Sequence, residues 1–495
     1  GGLLNFTAQG NTSLSNSVNG AGVLVSVTGS TTVANVDIDN SVVNGNKTIG
    51  YGASVIDGTL NSCLEGSSFS FNQQQGLLID VSGPTGVAYY GVGTLTPGSQ
   101  DTINNNGQQG LLATATNLGT INYRSIGSHY DGNGTTGSFD GASFVTDNAS
   151  IRALFHGGTT NNNTRDGLRI AGNPPALGTN NSNITLSLAN GFTSSGNTGF
   201  ALDFDVKNAN TAFLLVDPAV PPVLNGPINL DYTGVNQAFA NLAGVFHYDG
   251  KPGAGLSANF SNAGVVVFSL DGQGTSTANN NGAAGLDINL TNVTNGSVLI
   301  KGFSDISGNA GDGIHVSMTN VTNGALELQG VTGGTTMTGN GGNGVKVELT
   351  NTKLVNNFNS ILNQTIIGLT VTDNQAFDSC LPLPVSVAAN FAGVVPTKAL
   401  TVDSFTVSNS GAEGITVDGT NVTIGTNGGS ISNNIVTNSL GGDGIRLSLQ
   451  NPALVNPTAD GFRFAGNSSS GNTGNGINID LTNVTMNNMD LSGAL

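Results

Sequence analysis

Residues Gly285-Leu-Asp-Ile-Asn-Leu-Thr-Asn292 carry the pattern that decides the fold, because this pattern returns along the chain. It recurs as Gly313-Ile-His-Val-Ser-Met-Thr-Asn320 and as Gly344-Val-Lys-Val-Glu-Leu-Thr-Asn351. Later copies begin at Gly414, Gly444 and Gly476, and weaker copies begin at Gly22, Gly76, Gly110, Gly167 and Gly199. Successive clear copies start 28, 31, 70, 30 and 32 residues apart. These spacings indicate one degenerate repeat, and the step of 70 residues corresponds to two units plus an insertion.

Within each copy, apolar and polar residues alternate. Leu286, Ile288 and Leu290 point to one side, and the polar residues between them point to the other. A period of two is typical of a strand with one buried face. A second strand around Val298 and a shorter third segment after Phe303 complete the unit. Three strands and three turns predict an all-β, right-handed parallel β-helix solenoid with about 28–32 residues per coil and coils about 4.8 Å apart.

An asparagine follows the anchor glycine by seven residues in many copies. Asparagine tolerates left-handed backbone angles and can hydrogen-bond to its stacked neighbours, so it suits a tight corner between strands. We expect a structural ladder of these side chains along one corner. Copies at Gly22, Gly76, Gly167 and Gly199 lack this asparagine, so their corners are expected to turn differently. The ladder residues are Asn117, Asn292, Asn320, Asn351, Asn421, Asn451 and Asn483.

The combined pattern, Asn-x-Gly-x-x-Gly-Ile-x-Val with its following asparagine, resembles the pectin-lyase-like right-handed parallel β-helix superfamily. It is especially similar to Gly/Asn/Thr-rich repeats of large bacterial cell-surface adhesins and fibres. The resemblance covers most of the chain and implies the fold more strongly than an activity. Because enzymes of the superfamily cleave acidic polysaccharides, it also implies that a lyase or hydrolase must be weighed.

The composition narrows the partners of the chain. Among 495 residues, 74 are glycine and 9% are charged, and the net charge is −17. Nucleic acids and anionic membranes require clustered Lys and Arg, which are not visible here, so both are poor partners. No run of 18 apolar residues appears, so direct membrane insertion is not expected. An acidic, hydroxyl- and amide-rich exterior favours an extracellular or cell-surface protein, and both termini fall within a repeat.

Four stretches depart from the repeat and contain most of the prolines. We expect residues 1–495 to form one continuous β-helix segment, with insertions or loops near 80–102, 124–160, 205–260 and 376–400. Proline cannot donate to a central ladder, which favours loops at these places.

Stacking converts positions in the repeat into columns of neighbours. Asp287, His315 and Lys346 should form one outer column, and Asn289, Ser317 and Glu348 the next. Such groups can perform acid–base chemistry, although polar residues are also expected at any solvated position. Asp418 and Asp480, two coils apart, would lie near the outer limit for an inverting glycosidase pair. The Arg-x-Pro-x-x-Arg motif of pectate lyases and the Asn-Thr-Asp and Asp-Asp motifs of polygalacturonases are absent, which disfavours an enzyme and leaves no catalytic residue assigned.

Two further groups are weak candidates for binding. Asp131, Asn133 and Thr135 alternate like the start of a calcium loop, but Ala142 stands where the loop needs a glutamate. Structural calcium is therefore the one cofactor left open, beside a solvated turn. Arg152, His156, Arg165 and Arg169, together with Asp166, form a dense charged group that suits an anionic sugar or a local ion-pair patch.

The cysteines and the Asn-x-Ser/Thr triplets allow narrower predictions. Cys63 and Cys380 lie about ten coils apart in a continuous helix, too far for a disulfide within one chain. They are expected to be reduced and buried, or else to link neighbouring molecules. Triplets at ladder positions such as Asn292 are structural, whereas Asn46 and Asn133 are candidate glycan acceptors if the source glycosylates.

The sequence thus favours a non-enzymatic extracellular structural or adhesive fibre segment. Its expected partners are copies of itself, assembled head to tail into filaments, other cell-surface components, and glycans. The alternative is a polysaccharide-binding or polysaccharide-degrading β-helix, including tailspike-like proteins.

Overall fold

A computed structural model describes residues 2–94, 100–172, 182–216, 220–355, 396, 398–424, 429–451, 458–460 and 462–487. These residues form two compact units, one up to Asp231 and the other from Tyr232 onward. Both units are stacks of parallel β-strands, and together they comprise about 14 turns. The described residues contain no helix.

The first unit consists of short strands separated by tight corners. Their bounds are β1 Leu3–Ala8, β2 Val23–Thr28, β3 Val33–Asp39, β4 Tyr51–Ile56, β5 Thr59–Glu65, β6 Leu77–Ser82, β7 Val87–Val92, β8 Leu111–Thr116, β9 Thr120–Ile126, β10 Ala142–Asp147, β11 Ser150–His156, β12 Leu168–Gly172, β13 Asn183–Ala189, β14 Thr193–Ser195, β15 Leu202–Lys207, β16 Thr211–Val216 and β17 Val223–Asn225. Strand β18, Ile228–Thr233, lies at the boundary of the units.

The second unit continues the same alternation of strand and corner. Its strands are β19 Gln237–Ala243, β20 Val245–Phe246, β21 Leu256–Ser261, β22 Val265–Thr277, β23 Leu286–Thr291, β24 Asn295–Asp305, β25 Ile314–Thr319, β26 Asn323–Gln329, β27 Thr335–Thr338, β28 Val345–Thr350, β29 Lys353–Leu354, β30 Leu400–Asp403, β31 Phe405–Ser408, β32 Ile415–Thr420, β33 Thr423–Ile424, β34 Gly429–Ser432, β35 Ile435–Thr437, β36 Ile445–Gln450, β37 Thr458–Asp460, β38 Arg463–Ala465, β39 Ser468–Ser470, β40 Ile477–Thr482 and β41 Thr485–Asn487.

Each strand pairs in parallel with its equivalent one turn away. In the first unit, one sheet runs β2-β4-β6-β8-β10-β12-β15 and another runs β1-β3-β5-β7-β9-β11-β13-β16. In the second unit, the equivalent of the former sheet runs β21-β23-β25-β28-β32-β36-β40. The register follows the repeat, since Asp287 pairs with His315 and His315 pairs with Lys346. The predicted all-β, parallel β-helix solenoid is therefore confirmed.

The inner positions of the strands form the core, as the alternation requires. Leu286, Ile288 and Leu290 are fully buried, and their polar neighbours are only half-buried. The equivalent residues of each turn stack on one another, so the apolar side chains make continuous columns inside each unit. Burial of these columns is the main force that stabilises the stack.

Three stretches that were expected to leave the solenoid contribute strands to its sheets instead. Within 80–102, β7 pairs with β5 and β9; within 124–160, β11 pairs with β9 and β13; within 205–260, β19 pairs with β22. Aromatic residues in and beside these stretches are core residues. Tyr90, Tyr123 and Phe155 are buried, with ring centroids 6.0 Å apart for the first pair and 5.9 Å for the second. Most of 376–400 lies outside the described residues.

The step of 70 residues is one turn with an insertion, rather than two turns. Strand β28 pairs directly with β32, so Leu349 faces Gly419. Gly324 pairs with Leu354 and Leu326 with Leu400, which are consecutive inward positions of one ladder. The insertion therefore lies within one strand of the circuit. Spacing alone could not distinguish an inserted turn from an inserted loop, because both add a similar number of residues.

The corner seven residues after the anchor is left-handed in almost every turn. The values of φ are +52° at Asn117 and +54° at Asn320. Where asparagine is missing, glycine has the same sign of φ, as at Gly29 and Gly83. The turn assigned to Gly199 has its corner at Asn208 instead, because β12 pairs with β15 in a register two residues later. For these three copies the expectation that the corners turn differently was wrong, since glycine and asparagine both adopt this conformation; the corner of the Gly167 copy lies outside the described residues.

The described part of the chain contains no helix that is long and apolar enough to cross a bilayer.

Candidate functional site

A column of asparagines, in most turns four residues before the anchor position, runs through the interior of each unit. Asn72 Nδ2 donates to Asn106 Oδ1 at 3.1 Å, and Asn106 Nδ2 donates to Asn133 Oδ1 at 3.0 Å. The backbone N–H groups of Asn72 and Asn106 donate to the same two oxygens. All three side chains are at most 1% exposed. The column comprises Asn46, Asn72, Asn106, Asn133, Asn163 and the half-buried Asn197 in the first unit, and Asn281, Asn309 and Asn340 in the second.

This column explains the anchor glycines. A Cβ atom on Gly110 would lie 2.7 Å from Asn133 Nδ2 and 2.6 Å from the carbonyl oxygen of Gly141. A Cβ atom on Gly50 would likewise lie 2.7 Å from Asn72 Nδ2. The glycine is therefore required because the amide of the next turn approaches the backbone closely. Sequence reasoning missed the column, although an asparagine four residues before the anchor in most turns was a visible signal; Asn133, which lies eight residues before Gly141, is an exception.

The predicted ladder at the exposed corner is only partly continuous. Asn320 Nδ2 donates to Asn292 Oδ1 at 2.8 Å, and Asn351 Nδ2 donates to Asn320 Oδ1 at 3.0 Å. Asn421 then donates to Asn351 at 2.9 Å, and Asn292 donates to Asn262, which the prediction omitted, at 3.0 Å.

The remaining predicted residues of this ladder behave differently. Asn451 is 1% exposed, and neither polar atom of its side chain has a hydrogen-bond partner. Asn117 and Asn483 share the left-handed backbone conformation, although in both cases the side chain is exposed. The corner is therefore defined more by backbone conformation than by a continuous chain of side-chain bonds.

His315 lies at the centre of a charged cluster on the outer face of β23, β25 and β28. Its Nδ1 lies 2.8 Å from Asp287 Oδ1, and its Nε2 lies 2.9 Å from Glu348 Oε2. Lys346 Nζ lies 3.0 Å from Glu348 Oε1. An imidazolium ring can donate from both nitrogens, one to each carboxyl group, so this arrangement favours the protonated form of His315. His315 thus links three successive turns.

The electrostatics of this cluster favour a closed network. The hydrogen bond that His315 makes to Asp287 is the largest cause of the raised pKa of His315, although burial opposes it. Burial raises the pKa of Glu348, but the bonds from His315 and Lys346 outweigh it, and the pKa is lowered overall. A histidine with both nitrogens bound to carboxylates has no nitrogen available as a general base. Of the predicted Asp418 and Asp480 pair, Asp418 lies 3.6 Å from Arg446 Nε.

The four predicted sugar-binding residues lie on two different sheets. Arg152 and His156 belong to β11, where Arg152 is exposed and His156 Nδ1 lies 3.4 Å from Asn190 Nδ2. Arg169 belongs to β12, and Arg165 precedes that strand. The structure therefore does not assemble them into one group.

Arg165 and Arg169 are held by carboxylates of neighbouring turns. Arg165 binds the fully buried Asp140 through two nitrogens, with Nε 2.6 Å from Oδ1. Arg169 Nε lies 3.3 Å from Asp203 Oδ2. Asp166 accepts the Phe200 N–H at 2.8 Å, and burial raises its pKa to about 6. Asp166 was named in the predicted charged group without a role of its own, because its raised pKa depends on burial that no local motif indicates.

The predicted calcium ligands serve the solenoid. Asp131 Oδ1 accepts the Asn161 N–H at 2.6 Å, and Oδ2 accepts the Thr159 hydroxyl at 2.7 Å. Asn133 is fully buried in the asparagine column, and the Thr135 hydroxyl lies 3.4 Å from the Asn106 carbonyl oxygen. Within the described part of the chain, no group of three or more His, Cys, Asp or Glu residues is arranged to hold a metal ion.

A His-Tyr-Asp-Gly tetrapeptide forms the same corner arrangement in each unit, and this was not predicted from the sequence. The tetrapeptide His-Tyr-Asp-Gly occupies 129–132 and 247–250. In the second copy, Thr277 Oγ1 lies 3.1 Å from His247 Nδ1 and donates to Asp249 Oδ2 at 2.8 Å. The Asn279 N–H donates to Asp249 Oδ1 at 2.7 Å, as Asn161 does to Asp131 in the first copy. These side chains satisfy one another between adjacent turns.

Two predictions about modification are corrected. Cys63 is disulfide-bonded and half-buried, so the expected reduced and buried state is wrong; Cys380 lies outside the described residues. The distance argument applied only if both cysteines lay in one continuous helix. Asn46 and Asn133 are fully buried, so their side chains are not accessible to carry a glycan.

Comparisons with protein-family models, curated proteins and solved structures found no match. The class is therefore defined by the structure alone. The chain is a parallel β-helix repeat protein.

Proposed function

We propose that this protein is a non-enzymatic structural or adhesive segment of an extracellular or cell-surface fibre. The observation that supports this proposal is the use of polar side chains along the stacking direction. The buried asparagines and the exposed corner asparagines bond mainly to equivalent residues of adjacent turns. Such bonds strengthen the stack against separation of its turns, which is the property a fibre needs.

The charged residues support the same proposal. His315, Arg165 and Arg169 all have carboxylate partners on neighbouring turns. Their charges are neutralised within the solenoid, so they contribute to cohesion between turns rather than to an open site. Interaction with a partner would then use the exposed surface, in keeping with copies of the chain, other surface components or glycans as partners.

Electron microscopy of the purified protein over a range of concentrations tests the fibre proposal and its head-to-tail form. Filaments that lengthen with concentration would support self-assembly, whereas discrete particles at every concentration would reject it. Binding to a glycan panel and to cell-surface extracts tests the adhesive form separately. Failure of both assembly and adhesion would contradict the proposal.

A polysaccharide-degrading function is the second candidate, and Asp166 is the observation that favours it. A carboxyl group with a pKa of about 6 beside Asp140 and Asp203 has the property of a general acid near neutral pH. Release of sugar from a panel of acidic polysaccharides tests this candidate. Activity abolished in Asp166→Asn but retained in Asp205→Asn would overturn the structural proposal.

A further inference from the structure

The buried asparagine column of the second unit is interrupted at two successive turns. Pairing of Thr338 with Ser408, of Ser408 with Thr437 and of Thr437 with Ser470 fixes the register of this corner. Two residues further along each turn, the column reads Asn340, Ser410, Ser439 and Asn472. Ser410 is 0% and Ser439 is 1% exposed, so both serines lie as deep as the asparagines that they replace.

The complete part of the column shows what each carboxamide does. Asn340 Oδ1 accepts the backbone N–H and the Nδ2 of Asn309, both at 3.0 Å. Asn340 Nδ2 donates to the Ile306 carbonyl oxygen at 2.9 Å. One side chain therefore satisfies a donor and an acceptor on the preceding turn as well as bonding to its neighbour in the column.

The serines are too short to make these bonds. The hydroxyl groups of Ser410 and Ser439 are buried and have no hydrogen-bond partner. Among the described residues, the backbone N–H groups of Asn340 and Ser410, which precede them in the column, also have no partner. The column resumes on the turn after Ser439, where the Ser439 N–H donates to Asn472 Oδ1 at 3.0 Å. Each interruption thus brings together an unpaired hydroxyl and an unpaired N–H in a buried place.

We propose that two buried water molecules complete this column, one at Ser410 and one at Ser439. Each water takes the position of the missing carboxamide. The first water accepts the Asn340 N–H, bonds to Ser410 Oγ and donates to the Met337 carbonyl oxygen. Met337 occupies the position that Ile306 has on the preceding turn. The second makes the same contacts with the Ser410 N–H, Ser439 Oγ and the Val407 carbonyl. Buried waters typically make about three hydrogen bonds, and each site offers an unpaired N–H, an unpaired hydroxyl and a carbonyl oxygen.

Magnetisation transfer from water to backbone amide protons tests the proposal on the intact protein. The amides of Asn340 and Ser410 are expected to show transfer from long-lived bound water. The amides of Asn309 and Ser439 are matched controls, because both donate to an asparagine side chain in the same column. Absence of transfer at both Asn340 and Ser410 would overturn the proposal.

Replacement of the serines provides a second test. In the double variant Ser410→Asn, Ser439→Asn, the carboxamides should displace the waters, abolish the transfer and raise the melting temperature by roughly 2–4 °C. The same chemical change in Ser408→Asn, on the half-buried neighbouring position, should leave the melting temperature unchanged. A folded double variant that retains the water transfer would contradict the assignment. If the double variant does not fold, the measurement on the unmodified protein still decides.

Discussion

Truncation of Asn106 should destabilise the first unit far more than truncation of Asn117, although both residues belong to asparagine columns of the solenoid. Asn106 is fully buried, and its Oδ1 accepts both the N–H and the Nδ2 of Asn72. Asn117 is exposed, and it lies at a left-handed corner with φ of +52°. The pair therefore separates the contribution of buried hydrogen bonds from that of backbone conformation.

The structure gives the expected magnitudes. Asn106→Ala leaves two donors of Asn72 buried without a partner, while Asn133 Oδ1 retains the bond from the Asn106 backbone. At about 1–3 kcal/mol for each unsatisfied group, the loss in free energy of unfolding is about 2–6 kcal/mol. Asn117→Ala places alanine in the left-handed region, which alanine adopts less readily than asparagine, at a cost of about 1–2 kcal/mol. Asn117→Gly removes that strain and should change the stability by less than about 0.5 kcal/mol.

Urea unfolding followed by far-ultraviolet circular dichroism measures these differences, and hydrogen exchange of peptides from 77–126 localises them to the first unit. The order of loss should be Asn106→Ala, then Asn117→Ala, then Asn117→Gly. A loss below about 1 kcal/mol for Asn106→Ala would refute the reasoning, because the buried column would then contribute no more than exposed bonds do. Equal losses for the alanine and glycine variants of Asn117 would refute the role of the corner conformation.

Three further predictions concern pH and close packing. Because the pKa of His315 is raised in the folded state, the stability that this residue contributes is present below about pH 6.5 and is lost as pH rises through the folded pKa. His315→Gln should therefore flatten this part of a plot of the unfolding midpoint against pH. Burial raises the pKa of Asp166 to about 6, so the free energy of unfolding should fall as the pH rises from about 4 to about 6. Asp166→Asn should remove that fall when the same midpoints are compared. Gly110→Ala should cost about 1–3 kcal/mol in urea unfolding, since its Cβ would meet a backbone oxygen at 2.6 Å, whereas Gly20→Ala should be neutral because its nearest neighbour, Ser17 Oγ, lies 3.6 Å away. An unchanged pH profile for either polar variant, or equal effects of the two glycine changes, would contradict the corresponding argument.

The candidate sites were less predictable than the fold. The sequence placed Asp287, His315 and Lys346 in one column, and these residues do pair across adjacent strands. It could not indicate that His315 bonds to Glu348, because that contact joins two columns and depends on side-chain directions. The predicted charged group around Arg165 is divided between two sheets in the structure, because proximity along the chain does not decide which sheet a residue joins.

The sequence by itself determined the repeat, the alternation of buried and exposed positions and the parallel stacking, because a period of two and a recurring glycine are local properties that every turn expresses independently. Only the tertiary structure decided which asparagines are buried, that Tyr123 and Phe155 belong to the core, and that the step of 70 residues is a single turn. These features depend on what the adjacent turn places against each residue. Such contacts join residues about 30 positions apart, and the pattern within one repeat does not specify them.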